Sequence, residues 1–219
     1  MRKSISRYVE ATGPEAETQP GSHGRVLRNL LGLASKRALD LAEAQALVQA
    51  QEKWYRQLTQ QTRFSAKLIC QMHRDWLEGI YSWAGQYRTV ELAKAGFRWP
   101  PAERVAANMA TFERTTLKQA TPCLPQPLDE LTVRLAAVHS ELLLIHPFRD
   151  GNGRLARWLA DIMAAQAGYP TPAYGFSGKG STARREEYLE GLKKGYRADY
   201  RPSADFFLKA ILRRGSDKP

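Results

Sequence analysis

Three features of the sequence predict an all-α fold that carries one short β-hairpin. Apolar side chains recur every three or four residues through most of residues 41–213, which is the spacing of a buried helix face. Glycine and proline separate these periodic stretches. Residues 82–100 lose the helical period, and residues 89–99 among them form two short strand-like runs around Ala95 and Gly96, before two prolines stop them.

The periodic stretches predict the helices one by one. Ser65 is a suitable N-cap for a helix that ends near Gly79. The helix over residues 129–145 has the clearest buried stripe, and it breaks at His146 and Pro147. The remaining helices are expected near residues 41–58, 102–118, 152–167, 183–194 and 203–213.

The chain length suits one domain with a short appendage. Its 219 residues should bury roughly 70% of the unfolded surface, which is enough for a core of its own. Residues 1–25 combine loop-forming residues with no apolar period, so we expect a mobile N-terminal arm. The domain itself is expected over residues 26–213, with its core at 65–170 and a tail at 214–219.

Composition limits the classes of partner. The formal net charge is +11, but the 33 basic residues are spread along the chain, so dedicated nucleic-acid binding is not favoured. The surplus could instead attract a polyphosphate or an acidic protein. No apolar run reaches the ~20 residues that span a bilayer, and the two cysteines and four histidines form no metal motif. We therefore expect a cytoplasmic protein without a membrane partner.

The segment 146–157, His-Pro-Phe-Arg-Asp-Gly-Asn-Gly-Arg-Leu-Ala-Arg, lies between two predicted helices and combines groups that suit a phosphate. Gly151 and Gly153 allow backbone N–H groups to approach an anion, and the following helix directs its positive end to the same place. Arg154 and Arg157 share one face of that helix, and guanidinium groups match phosphate oxygens.

Two further groups in this signature segment suit a reaction at the phosphate. Asp150 is a hard oxygen ligand that could hold Mg²⁺ against phosphates. His146 can take a proton near neutral pH, as a general base must. The segment therefore offers a phosphate cradle, a metal ligand, a charge clamp and a base. The alternative interpretation is an ordinary helix–helix loop with a solvated aspartate and two surface arginines.

The signature segment resembles that of the Fic (filamentation-induced-by-cAMP) family, His-x-Phe-x-Asp/Glu-Gly-Asn-Gly-Arg-x-x-Arg, at every fixed position. The resemblance continues upstream through residues 80–90, which look like the segment leading to the family's target-binding flap. Downstream, residues 184–202 look like its nucleotide-pocket helix, so about residues 40–213 are covered. The resemblance implies a helical core with a hairpin flap, and a protein adenylyltransferase that moves AMP from ATP to a Ser, Thr or Tyr hydroxyl.

The family's catalytic roles carry over by position. The resemblance implies that His146 deprotonates the target hydroxyl. It implies that Asp150 holds Mg²⁺ across the α- and β-phosphates of ATP. Phe148 is expected to anchor the loop in the core.

The nucleotide-binding roles carry over in the same way. Gly151, Asn152 and Gly153 would form the anion hole, with the Asn152 amide on the α-phosphate. Arg154 would bind the outer phosphates and contribute to catalysis, and Arg157 would orient the γ-phosphate. The intact Gly-Asn-Gly-Arg favours transfer of AMP over transfer of other groups.

Four features outside the signature segment also receive an interpretation. Tyr188 lies where the family often places an aromatic residue beside the adenine. Residues 89–99 would be the flap, pairing with the backbone of the target protein as an edge strand. His139 is expected to be buried and hydrogen-bonded, whereas His73 lies among charged residues and is expected to be solvated.

Regulation by an internal or external brake is a further expectation. Residues 6–11 resemble the family's inhibitory helix, Ser/Thr-x-x-x-Glu-Gly/Asn, except at Ala11, so a helix over residues 4–11 could aim Glu10 at the second signature arginine. Residues 182–186 fit the pattern less well. If neither acts, an antitoxin-like protein could inhibit this toxin-like enzyme.

Two other functions stay open at this level. One is a Fic-fold enzyme that removes AMP or transfers another phosphate-containing group, and the other is a silent binding module. The cytoplasmic expectation includes delivery into another cell.

Overall fold

The chain folds into two compact units. A computed structural model describes residues 14–94 and 96–216. The first unit contains the described residues of Met1–Gln57, Ala66–Ala110 and Ile145–Asn152. The second unit contains those of Leu58–Ser65, Thr111–Leu144 and Gly153–Pro219. The candidate inhibitory helix at residues 4–11, with Glu10, lies outside the described residues.

Helices make up most of the described chain. They are α1 (Lys36–Gln57), α2 (Ala66–Leu77), α3 (Val105–Phe112), α4 (Lys118–Ala120), α5 (Leu128–Ile145), α6 (Asn152–Gln166), α7 (Ser181–Gly195) and α8 (Arg201–Ser216). A π-helical turn at Glu113–Leu117 joins α3 to α4. The short strands β1 (Ala93–Lys94) and β2 (Phe97–Arg98) pair antiparallel. The predicted fold class, helical with one hairpin, is confirmed.

The hairpin is shorter than the sequence predicts. Strand pairing was expected from residue 89 onward, but β1 begins at Ala93. The reason lies at Val90 and Pro100, whose carbonyl oxygens accept hydrogen bonds from the Arg88 guanidinium at 2.8 and 2.6 Å. A side chain therefore satisfies backbone groups that a longer ladder would have paired.

In the first unit, α1 packs on α2 through apolar contacts and indole hydrogen bonds. The buried face of α2 includes Ile69, Met72 and Trp76, at helical spacing. Trp76 Nε1 donates to the Glu43 carbonyl oxygen at 2.9 Å, and Trp54 Nε1 donates to Asp75 Oδ2 at 3.0 Å. The helix α2 begins one residue after Ser65, as the N-cap interpretation predicts.

In the second unit, α5 carries the predicted buried stripe. Leu131, Leu135, Val138 and Leu142 on α5 are all buried. The helices α7 and α8 pack closely at Gly191, because a Cβ there would lie 2.9 Å from the Ser203 hydroxyl. None of the helices within residues 14–94 and 96–216 combines the length and the hydropathy that crossing a bilayer requires.

Candidate active site

The first half of the signature segment is a loop with two left-handed residues, one at each end. We call residues 146–151 the signature loop. His146 has φ = 51° and Gly151 has φ = 86°. The left-handed region costs a non-glycine residue roughly 1–2 kcal/mol, so neighbours must hold His146 there. Gly151 has a second constraint, since a Cβ would lie 2.9 Å from the Trp76 ring.

Arg88 binds the beginning of the signature loop. Its Nε donates to the His146 carbonyl oxygen at 2.8 Å, and its backbone N–H donates to the Pro147 carbonyl oxygen at 2.8 Å. The same guanidinium reaches Val90 and Pro100, which flank the hairpin. Arg88 is 2% exposed, and its bonds to the carbonyl oxygens of His146 and Val90 are buried. The Arg88 side chain thus connects the two ends of the flap to the backbone of His146, the proposed general base.

Asn152 closes the signature loop from the other side. Its Oδ1 accepts the Phe148 N–H at 2.9 Å, and its Nδ2 donates to the Phe148 carbonyl oxygen at 2.7 Å. Phe148 is fully buried, as its predicted role of core anchor requires. The Asn152 side-chain amide is therefore occupied by the loop. The group of Asn152 that can bind an anion is its backbone N–H, which lies in the first turn of α6.

His73 is buried, and the prediction that it is solvated is wrong. Its side chain is 0% exposed and its ring stacks on Phe148 at 3.9 Å. Nδ1 accepts the Gly85 N–H at 2.9 Å, which leaves Nε2 to donate to the Asp150 carbonyl oxygen at 3.1 Å. The charged neighbours of His73 misled the interpretation, whereas its spacing from Ile69 on the buried face of α2 was the informative signal.

His146 lies beneath an aromatic residue of the flap. The ring centroids of His146 and Trp99 are 4.1 Å apart, and His146 is 8% exposed. Trp99 follows β2, and its backbone N–H donates to the Leu92 carbonyl oxygen at 3.1 Å. Sequence reasoning assigned Trp99 to the flap but missed this contact. The flap therefore shields the proposed base from water.

Asp150 is half-buried, and its carboxylate faces the turn into α6. Oδ1 accepts the Gly151 N–H at 2.5 Å. Among the described residues, no group of three or more His, Cys, Asp or Glu side chains could hold a metal ion. Mg²⁺ is commonly held by one or two carboxylates together with substrate phosphates and water, so a single carboxylate at this position fits it.

The N-terminal segment contacts the signature loop through Glu15, which the sequence did not single out. The Glu15 carbonyl oxygen accepts a hydrogen bond from Arg149 Nε at 2.7 Å. Its carboxylate accepts the Thr89 N–H at 3.2 Å, next to Arg88. Both Glu15 and Arg149 are buried. Residues 14–16 form a 3-10 turn that supports these contacts.

The second unit holds Gly153, Arg154 and Arg157 in the first turns of α6. Arg154 is half-buried. The Arg157 guanidinium lies 5.8 Å from the centre of the Tyr174 ring and 5.6 Å from that of Phe176, within reach of a cation–π contact. Arg157 therefore sits on an aromatic surface.

Tyr188 lies beside this arginine. Its hydroxyl is 2.7 Å from His139 Nε2, and its ring packs against Phe176 with centroids 5.1 Å apart. Burial raises the pKa of Tyr188, and a hydrogen bond with Arg157 opposes that rise. The tyrosine thus connects Arg157 to His139 through its hydroxyl. Its role beside the adenine stays a prediction.

His139 is buried and hydrogen-bonded, as predicted. Burial lowers its pKa to about 3, with a hydrogen bond to the Ala156 backbone opposing the shift and the charge of Arg157 adding to it. The imidazole is therefore neutral in the folded protein. Its Nε2 accepts a hydrogen bond from the Tyr188 hydroxyl.

We expect His139 to make the protein sensitive to acid. Its folded pKa of about 3 lies below the value of about 6.5 for an unfolded histidine, so below pH 6.5 the unfolded chain binds a proton that the folded protein does not. The free energy of unfolding should fall from pH 6.5 toward pH 3, by up to about 1.4 kcal/mol per pH unit from this group. In His139→Gln this contribution should vanish. Urea unfolding at several pH values measures it, and equal slopes for both proteins would contradict the prediction.

Comparison with known proteins finds one protein family and several individual proteins to which the chain is similar. The model of the Fic/DOC family matches residues 63–164. Protein adenylyltransferase Fic from Nematostella vectensis is 30% identical over 130 residues, which are 59% of this chain and 28% of that protein. Protein adenylyltransferase VbhT from Bartonella schoenbuchensis is 24% identical over 166 residues, 75% of this chain and 33% of that protein. The chain thus spans no more than a third of the length of these two relatives.

Solved structures share the fold. BepC from Bartonella tribocorum, with bound AMPPNP, superposes with a TM-score of 0.68 at 21% identity, over 84% of this chain and 91% of that one. The N-terminal FIC domain of Bep8 from Bartonella sp. 1-1C gives a TM-score of 0.70 at 16% identity, over 85% and 91%. Both similarities establish the architecture of the chain.

Proposed function

Because residues 63–164 place this chain in the Fic/DOC family, we propose that it is a protein adenylyltransferase, which transfers AMP from ATP to a Ser, Thr or Tyr hydroxyl of a target protein. The relatives from Nematostella and Bartonella described above are both named protein adenylyltransferases. The choice of ATP as the nucleotide is supported by the structure of BepC, which was solved with bound AMPPNP.

The observation that carries the proposal is the shape of the signature loop. The carbonyl oxygens of His146, Pro147, Phe148 and Asp150 all accept hydrogen bonds from within the first unit. With these oxygens turned inward, they do not repel an anion in front of the loop. The loop leads into α6, whose first N–H groups have no partner within the helix. Such an arrangement suits a phosphate.

The proposed reaction proceeds by displacement at the α-phosphorus. His146 takes the proton of the target hydroxyl, whose oxygen attacks the α-phosphorus while the bond to the β-phosphate oxygen breaks and pyrophosphate leaves. The turn at Gly151, Asn152 and Gly153 would bind the charge that develops on the α-phosphate through the backbone N–H groups of Asn152 and Gly153, since the Gly151 N–H donates to Asp150 Oδ1. Trp99 keeps water from His146, which disfavours hydrolysis.

The outer phosphates would be held by charge. Arg154 and Arg157, on one face of α6, would bind the β- and γ-phosphates. Asp150 would hold Mg²⁺, which when bound neutralises phosphate charge and supports the leaving pyrophosphate. The aromatic surface under Arg157 limits the directions in which its guanidinium can point.

The flap suits recognition of an extended peptide. The described strands β1 and β2 form a two-stranded antiparallel sheet, in which β2 is an edge strand. Both residues of β2, Phe97 and Arg98, are exposed. We propose that target backbone pairs with this edge, which brings a hydroxyl toward His146 without a demanding side-chain motif.

Labelling with two forms of ATP tests the function. The protein is incubated with Mg²⁺ and a lysate, using ATP labelled at the α-phosphate in one sample and at the γ-phosphate in the other. AMP transfer predicts that protein acquires the α-label and no γ-label. The γ-label alone indicates phosphate transfer. The absence of both labels, together with no detectable ATP binding, supports a silent binding module.

We propose that the N-terminal arm restrains the enzyme through Glu10. A carboxylate near Arg157 would compete with the γ-phosphate for the guanidinium, and such charge-assisted pairs are strong. Glu10→Gly should therefore raise self-labelling about tenfold, with the melting temperature unchanged. The matched control is Glu17→Gly, which removes another carboxylate of the arm that pairs with Arg28 at 2.5 Å and is exposed. If Glu10→Gly labels no more than this control, the brake belongs to another chain, such as an antitoxin-like protein.

A further inference from the structure

Two buried side chains that lie outside the signature segment both bind the backbone of the signature loop. Arg88 donates to the carbonyl oxygen of His146, and His73 donates to that of Asp150. These are the two loop residues to which the proposed function gives the base and the metal ligand. We propose that His73 and Arg88 are positioning residues for AMP transfer, a proposal that rests on that function.

Arg88 restrains His146 in two ways. Its hydrogen bond to the His146 carbonyl oxygen, together with its N–H bond to Pro147, fixes the peptide on the far side of the left-handed residue. The same guanidinium holds Val90 and Pro100, the residues that enter and leave the hairpin. The hairpin in turn carries Trp99 onto the His146 ring. Both the backbone and the ring of His146 therefore depend on one buried guanidinium.

His73 restrains the other end of the signature loop. Its ring lies flat on Phe148, at an interplanar angle of 9°, and its two nitrogens bond in opposite directions. Nδ1 accepts from Gly85, and Nε2 donates to Asp150. The close approach of Gly151, whose Cβ would lie 3.2 Å from Nε2, shows that the loop presses against this ring.

The physical consequence is a loop whose geometry is decided before substrate arrives. A displacement of about 1 Å in a reacting group can cost on the order of 100-fold in rate. Carbonyl bonds to two rigid planar groups oppose such displacement at residues 146 and 150. We therefore expect the loss of either side chain, Arg88 or His73, to lower kcat more than it lowers the affinity for ATP.

The two nitrogens of His73 allow a matched pair of variants. Glutamine can place an N–H near the position of Nε2 and keep the bond to Asp150, whereas asparagine reaches the position of Nδ1 and loses it. His73→Asn should lower kcat about 100-fold, and His73→Gln about fivefold, with similar KM for ATP. Arg88→Lys, which keeps the charge but cannot reach three carbonyl oxygens, should lose about 100-fold in kcat.

Trp54→Phe is the control for general destabilisation, because it removes a partly buried hydrogen bond between α1 and α2. It should keep the parental kcat. Hydrogen–deuterium exchange of a peptide covering residues 146–151 should accelerate in His73→Asn and Arg88→Lys and stay unchanged in the control.

The proposal is overturned if His73→Asn and His73→Gln lose kcat equally, or if Trp54→Phe loses as much at the same melting temperature. It is also overturned if exchange of the loop peptide is the same in all proteins. If the unmodified protein transfers no AMP, the proposed function is refuted instead. Hydrogen–deuterium exchange of residues 146–151 then decides alone whether His73 and Arg88 restrain the signature loop. Should Arg88→Lys fail to fold, the two His73 variants decide between these outcomes.

Discussion

Replacing His146 by alanine should lower the rate of AMP transfer about 10²–10⁴-fold, the usual contribution of a general base. Binding of ATP should stay nearly intact, because in the proposed reaction the imidazole meets the incoming hydroxyl, whereas α6 and the arginines would hold the phosphates. The rate is measured with α-labelled ATP and a protein substrate, and affinity by titration with a non-hydrolysable analogue.

The control for this variant is His23→Ala, which removes an exposed histidine of the N-terminal segment and should act as the parent. A His146→Ala protein with activity within a factor of two of the parent would mean that no base is needed at this position. Loss of ATP binding in parallel with transfer would indicate collapse of the signature loop, whose backbone at this residue is left-handed.

Replacing Arg157 by alanine should lower transfer about 100-fold, the typical cost of removing one group that stabilises developing charge. The fold should suffer less, although Arg157 packs on Tyr174 and Phe176 and bonds Tyr188. Transfer assays with α-labelled ATP and thermal unfolding on the same samples separate the two effects. Arg157→Lys should recover part of the activity, since it restores the charge without the planar fork.

The yardstick for stability is Leu142→Ala, a truncation of a buried leucine on α5 that should cost roughly 2–5 kcal/mol. If Arg157→Ala loses as much melting temperature as Leu142→Ala, its principal role is structural. Equal rates of transfer by the parent and by Arg157→Ala would show that Arg157 does not orient the γ-phosphate.

The sequence predicted the helices well because each has an apolar period of its own. The stripe of α5 and the buried face of α2 are local patterns, and the helix boundaries follow from capping and from glycine and proline. The start of α1 was missed, since its first two residues, Lys36 and Arg37, are charged and exposed. The hairpin was found, but its strands were overestimated because the bonds of Arg88 replace part of the ladder.

The sequence by itself determined the fold class and predicted which segment would bind phosphate, because both depend on residue types at fixed short spacings. Only the tertiary structure decided what holds that segment: Arg88 on His146, His73 on Asp150, and Trp99 over the His146 ring. Two of these contacts end on backbone carbonyl oxygens 58 and 77 residues away. Every residue has such a carbonyl, so a partner of this kind leaves no mark in the sequence, and it becomes known only when folding brings the two together.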